Sequence, residues 1–162
     1  MERQAQKIKE LIGKTPVHPL LFYSGKIAGY FTWAAGVYHA GFRKSRWTFL
    51  PDIPALVLFT AGAVLTFVSL VNLGRSVRLG LPGRDTKLET SGLYALSRNP
   101  MYVGFNLCTL SSMLMMHSWR IFVFGIYSIF TYYRIITAEE KFLERRFGDE
   151  YRSYRRKVRR YV

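Results

Sequence analysis

The chain has 162 residues, with 24 Lys and Arg against 10 Asp and Glu and a formal net charge of +14. That length suits one domain and not two. Hydrophobic residues make up 49% and aromatics 16%. The apolar residues stand in long blocks with the charge between them, which excludes a basic nucleic-acid-binding globule. The aromatic content excludes a disordered chain, and the single cysteine, Cys108, excludes a disulfide scaffold. Lying inside an apolar block, its thiol acts as a small hydrophobe.

In chain order, the segment up to Lys14 places Ile8, Leu11 and Ile12 among charged residues, the pattern of a short surface helix ended near Gly13 and Pro16. Residues 20–42 form an apolar and aromatic block whose only interior charge is Lys26. Its ammonium, near the first end, can snorkel to the headgroups. The block starts too late and runs too long for a signal peptide, and no small-residue cleavage pattern follows it. Residues 53–73 are 21 positions without a charged side chain. At about 1.5 Å per residue they span roughly 30 Å, the thickness of a hydrocarbon core. Pro54 is expected in the first turn, where a missing N–H costs nothing.

From Met101 to Tyr133 the only charge is Arg120. This stretch is too long for one span and slightly short for two. The break falls at His117-Ser118-Trp119-Arg120. The expectation is two short helices, 100–116 and 119–137, joined by a tight turn as a hairpin that thins the membrane locally or rests on the other helices. The fold class expected is therefore all-α: one domain over 1–162, a membrane helix bundle of about four spans followed by an interfacial tail, 138–162. With four spans, one face collects eighteen Lys and Arg from the two termini and the loop 74–98, and the other face collects four. The positive-inside rule then puts both termini and that loop in the cytoplasm, where loop and tail can build one site.

The tail carries nine Lys and Arg. Leu143, Phe147, Tyr151, Tyr154, Val158 and Tyr161 recur at spacings of three and four, interrupted by Gly148. A basic amphipathic helix beside a membrane span is expected to lie in the headgroup layer, held by anionic membrane lipids. Tethering at the bilayer favours lipid over RNA as the partner of this basic stripe, so no nucleic acid is expected.

Two places concentrate unusual residues. One is the run from Thr90 through Gly92 and Tyr94 to Ser97-Arg98-Asn99-Pro100-Met101-Tyr102. Gly92 permits a tight turn. Pro100 can open a helix with Asn99 as its N-cap, leaving free N–H groups and Arg98 toward an anionic ligand. A plain capped helix start with an interfacial arginine accounts for the same residues equally well. The other place is Glu139-Glu140, directly after the last apolar helix and five positions beyond Arg134. A carboxylate near membrane depth costs a few kcal/mol unless paired or wet. Solvation at the interface, with a bridge to Lys141 or Arg145, is the plainer account of this pair.

Taken together, the turn, the proline-opened helix, the short hairpin, Glu139-Glu140-Lys141-Phe142-Leu143 and then Phe147-Gly148-x-x-Tyr151-x-x-Tyr154 resemble the isoprenylcysteine carboxyl methyltransferase family, with the related phospholipid methyltransferases. The resemblance runs over about 86–158. It implies a multi-spanning enzyme that uses S-adenosyl-L-methionine on its cytoplasmic side, with a lipophilic or lipidated acceptor and no metal. By carry-over Tyr94, Asn99, Pro100, Met101 and Tyr102 line the cofactor pocket, Thr86, Lys87, Leu88 and Glu89 contribute from the loop, and Glu139 with Glu140 holds the cofactor from the last helix. Arg98 and Arg134 would meet the acceptor. The chain departs from the family pattern in having Thr86 and Asn99 where histidines are common, and Arg159 where a proline usually follows the valine. An NADPH-dependent sterol-reductase-like enzyme shares part of the C-terminal pattern but carries an extended motif missing here. A non-catalytic lipid-binding adaptor is the third reading.

Overall fold

The computed structural model describes residues 15–42, 49–74 and 87–162, the first four residues of the second stretch by backbone alone. The expected surface helix before Lys14, the first loop's Arg43, Lys44 and Arg46, and Thr86 lie outside the described residues. Among the described residues five α-helices follow in order: α1 (Pro19–Phe42), α2 (Phe49–Leu73), α3 (Pro100–Met116), α4 (Trp119–Phe147) and α5 (Asp149–Lys157), with a 3-10 turn, Gly92–Ala95, between α2 and α3. Among the described residues the only extended pairing is an isolated parallel bridge between Ser97 and Arg159. The all-α bundle expected from the apolar blocks is the architecture observed.

Several boundaries differ from the sequence expectation. α2 begins four residues before Ile53, so Pro54 lies inside the helix rather than in its first turn. α4 does not stop at Thr137 but runs on to Phe147, where Gly148 at φ +52 turns the chain into α5. The polar second half of α4 is good helix-forming sequence, so nothing ends the helix before that glycine. The α3–α4 turn is where expected: His117, in the left-handed region at φ 44, ends α3, and Ser118 precedes α4. The two helices it joins pack more extensively on others, α3 on α2 and α4 on α1.

Small residues set those contacts. A Cβ on Gly62 would stand 2.7 Å from the Gly104 carbonyl oxygen, and one on Gly104 2.6 Å from the Gly62 carbonyl oxygen, so α2 and α3 touch backbone to backbone. On α1, Gly25 and Gly29 meet Thr131 and Ser128 of α4, and Gly36 meets Ser112 of α3. Buried hydroxyls return to their own helices: Thr32 donates to the Ala28 carbonyl at 2.8 Å, Ser112 to Cys108 at 2.9 Å and Thr131 to Tyr127 at 2.9 Å. Between helices, Trp33 Nε1 donates to Thr109 Oγ1 at 2.8 Å, and Ser111 donates to the Ala55 carbonyl.

Large apolar side chains point outward instead. Ile27, Val57, Phe67, Phe122 and Val123 are all more than half exposed, while Thr32, Ser69, Ser111, Ser128 and Thr131 are fully buried. This is the reverse of a water-soluble bundle and suits a surface wetted by lipid tails. Among the described residues two helices, Ile53–Leu73 and Trp119–Phe147, are long and apolar enough to cross a membrane.

Candidate functional site

Glu139 and Glu140 are consecutive on α4, so they leave the helix about 100° apart. Each meets a different set of partners, and the two sets define the site.

Glu139 faces α3 and α1. The Tyr102 hydroxyl donates to its Oε1 at 2.9 Å. Tyr102 is buried with Phe22, Tyr132, Ile135 and Ile136, and Val17, Met101 and Phe105 pack against that cluster. The ring centroids of Tyr102 and Tyr132 are 5.6 Å apart, and those of Phe105 and Tyr132 are 5.4 Å apart. Glu139 itself is half-buried, an acidic group on the rim of an aromatic nest. Lys26 reaches back one turn toward the first end of α1. Its ammonium lies 3.9 Å from the centroid of the Phe22 ring and acts electrostatically on Glu139.

Glu140 is 6% exposed and faces Arg98 and Arg160. Arg98 donates to Oε1 through Nε at 3.2 Å and Nη2 at 2.9 Å. Arg160 donates to Oε2 through Nε at 3.1 Å and Nη2 at 2.7 Å. The Asn99 amide adds a third donor to Oε1 at 3.3 Å. The remaining Arg98 nitrogen, Nη1, donates to the Val158 carbonyl at 2.6 Å and reaches that of Arg155 at 3.4 Å. Arg160 is held above its usual arginine value, chiefly by its hydrogen bonds to Glu140. A carboxylate buried with two guanidiniums and an amide has every lone-pair direction occupied.

The segment after α5 completes this cluster. Arg98 N–H donates to the Arg159 carbonyl at 2.9 Å. The Arg160 carbonyl accepts from Asn99 Nδ2 at 3.2 Å and from Ser97 Oγ at 3.3 Å. Tyr154 is buried, and its hydroxyl donates to the Tyr94 carbonyl at 2.6 Å. The aromatic stripe of the tail was expected to lie in headgroups. Tyr151 and Tyr154 instead bury against the protein, and the turn at 92–95 offers Tyr154 the Tyr94 carbonyl.

The loop residues fall on one side of this arrangement. Lys87 is exposed, and Leu88 and Glu89 are half-buried in the lead-in to the 3-10 turn. Hydrogen bonds from the Ser91 hydroxyl, then its amide, hold the Glu89 carboxyl below its usual value. Gly92 takes φ +55, and a side chain there would collide with Asn72 at the end of α2. Tyr94 is buried, and burial, followed by the charges of Glu139 and Glu89, pushes its phenol up to about 12. Its hydroxyl is therefore neutral near pH 7.

The structure thus gathers Tyr94, Asn99, Pro100, Met101, Tyr102, Glu139, Glu140 and Arg98 at one end of the bundle. It does not place them as the sequence alone suggested. Asn99 precedes α3 with Pro100 at the first position, but its side chain makes no capping bond and turns to Glu140 and the Arg160 carbonyl. Arg98 and Glu140 were expected on ligand, and they face each other. Glu140 finds its arginines far off in the chain and not in Lys141 or Arg145. Arg134 lies on the exposed face of α4, its guanidinium 5.9 Å from the Phe130 ring. Sequence reasoning missed Arg160, Phe22 and Tyr132. Arg160 is one of nine basic residues in the tail, and no spacing rule marks it out.

The match to a known family includes this end of the molecule. A model of the family described as phospholipid methyltransferase matches residues 52–150, and the chain belongs to that family. The stretch holds α2, the turn, α3 and α4, so both glutamates and the run 94–102 lie inside it. Among curated proteins, the Protein-S-isoprenylcysteine O-methyltransferase of Schizosaccharomyces pombe (strain 972 / ATCC 24843) is 32% identical over 110 residues, 64% of this chain and 46% of that protein. The chain therefore spans about half the length of the relative it matches. The family resemblance read from the sequence stands. With the apolar exterior and two helices fit to cross a bilayer, it marks a membrane protein.

Proposed function

We propose that this chain is a multi-pass membrane methyltransferase that uses S-adenosyl-L-methionine at the cytoplasmic face and methylates a lipophilic acceptor, a prenylcysteine-like carboxylate or a lipid head group. One observation carries the reading: Glu139, half-buried, takes the Tyr102 hydroxyl at 2.9 Å on the edge of the aromatic cluster. A carboxylate beside ring faces suits a cationic ligand, through charge and through the ring quadrupole. S-adenosyl-L-methionine is a sulfonium cation, so the donor set fits it.

In this reading Glu139 and Tyr102 hold the cofactor. Tyr94, Asn99, Pro100 and Met101 shape the wall, and Lys87, Leu88 and Glu89 contribute from the loop. Bound there, the cofactor supplies an electrophilic methyl group, whose in-line displacement depends mainly on positioning. A carboxylate acceptor needs no base, whereas an amine acceptor would give its proton to a Glu or Tyr. Arg134, exposed on the outer face of α4, would meet an anionic head arriving from the lipid side. Arg98 and Glu140 serve the site through each other. The cytoplasmic assignment, with four spans, rests on the charge asymmetry of the loops and tail.

The test is isothermal titration of the detergent-purified protein with S-adenosyl-L-methionine and, separately, NADPH. Binding of the first alone is expected. Binding of NADPH alone would favour a reductase, and binding of neither an adaptor. Methyl transfer to a dispersed prenylcysteine analogue and to phosphatidylethanolamine then identifies the acceptor class. Cysteines placed at Ser153 and Ser45 should label from opposite sides of the membrane; labelling from the same side removes the four-span topology.

A further inference from the structure

The residue that ties this end of the molecule together lies outside the matched stretch 52–150 and outside the sequence pattern. Arg160 makes two separate sets of bonds. Its guanidinium takes Glu140 Oε2 on α4, at 2.7 and 3.1 Å. Its backbone carbonyl takes Ser97 Oγ and Asn99 Nδ2 at the entrance to α3, at 3.3 and 3.2 Å. One residue therefore bridges the end of α4 to the start of α3, beside the Arg98 bond to the Arg159 carbonyl.

Tyr102 sits three residues beyond Asn99, in the first turn of α3, and Glu139 sits beside Glu140 on α4. Their hydrogen bond requires the first turn of α3 to hold a fixed rotation and height against α4. Along their apolar length these two helices pack less extensively on each other than on α2 and α1. Their register at the polar end is set by the groups on Glu140 and Asn99, and Arg160 holds both.

We propose that Arg160 is a positioning residue for the cofactor pocket: it fixes the first turn of α3 against α4 so that Tyr102 and Glu139 meet. The Arg160 side chain keeps Glu140 neutralised from the side Arg98 leaves open, and its carbonyl keeps Asn99 turned away from the helix cap. This inference rests on the methyltransferase reading only for its functional consequence. The structural coupling stands without it.

The experiment compares wild-type protein with Arg160→Gln, Arg160→Lys and, as a control on the exposed face of α5, Arg156→Gln. Amide hydrogen exchange without ligand reads the coupling directly. Arg160→Gln should speed exchange at Arg98 and Val103, whose amides are bonded to the Arg159 and Asn99 carbonyls, by about tenfold or more. Arg160→Lys should fall between, and Arg156→Gln should match wild type. Titration with S-adenosyl-L-methionine reads the consequence. Arg160→Gln should weaken binding about tenfold in the wild-type background and change it little in a Tyr102→Phe background, because the two changes break one link. Unchanged exchange at Arg98 and Val103 overturns the proposal. So do equal losses of affinity in both backgrounds, which would mark general loosening. If wild type fails to bind the cofactor while exchange responds as expected, the functional reading falls and the positioning role of Arg160 stands.

Discussion

α3 is held differently along its length. At its middle it meets α2 at Gly62 and Gly104, backbone against backbone, with hydroxyls returned to carbonyls of their own helices. At its start it is held by Arg98, Asn99, Glu140 and Arg160, a network of charged groups drawn from three distant parts of the chain. The first mode suits a region whose exterior is apolar. Lipid tails offer no hydrophobic drive between helices, so close shape and satisfied hydroxyls must do the work. The second suits the polar end of the bundle, where a buried carboxylate is tolerable because guanidiniums converge on it. The lesson is a division of labour: shape fixes which helices touch, and charge fixes their register where the site is built.

The contrast can be broken most severely at Glu140. Glu140→Ala leaves Arg98, whose side chain is 8% exposed, facing Arg160 with no counter-charge. A loss of about 3–5 kcal/mol in stability is expected, as for a buried pair deprived of one partner. Denaturation in detergent measures it; a loss under about 1 kcal/mol would mean that the cluster is not a structural unit. Next comes the neighbouring carboxylate. Tyr102→Phe removes the 2.9 Å bond to Glu139 and should weaken S-adenosyl-L-methionine binding by about 1.5–3 kcal/mol, the range for a bond to a charged group, with little effect on folding. Wild-type affinity in that variant would move the pocket elsewhere.

Gly104→Ala probes the other mode. Its Cβ would meet the Gly62 carbonyl at 2.6 Å, and backbone cannot yield as a side chain can. A loss of about 1–3 kcal/mol from overpacking should follow, visible as a lower midpoint of thermal unfolding; a neutral result would show that α2 and α3 are further apart than described. The smallest effect belongs to the exposed charges of the tail. Arg152 pairs with Asp149 at 3.0 Å, but its side chain is 56% exposed. Arg152→Ala should cost less than about 1 kcal/mol and lose even that in high salt. A larger cost would erase the distinction between the buried cluster and the surface pairs.

Much of this was legible in advance, and the limit falls at identifiable residues. Gly92, Pro100 and Gly148 carry local meaning in their own chemistry. The turn at φ +55, the start of α3 and the end of α4 fall at those positions. Arg134 and Arg98 looked alike as arginines beside helix ends, yet one lies on an exposed face and the other inside the cluster. Nothing local separates them, since the difference lies in what another part of the chain brings alongside. Lys26 was read from its neighbours in sequence as a headgroup anchor. Phe22, one turn back, and the charge of Glu139, more than a hundred residues on, are neighbours that only the folded chain supplies.

The sequence alone determined the all-α bundle, the block order and the family pattern around both glutamates, because these depend on composition and on spacings within one helix or one turn. The tertiary structure decided which glutamate faces the buried aromatic cluster and which is sealed by arginines. Adjacent residues on a helix diverge by about 100°, so their fates depend on the surfaces that α1, α3 and the segment after α5 present to each side. It also decided that the basic tail folds back, through Tyr154 on Tyr94 and Arg160 on Glu140. A run of arginines advertises charge, but only the position of a buried carboxylate selects the arginine that is used.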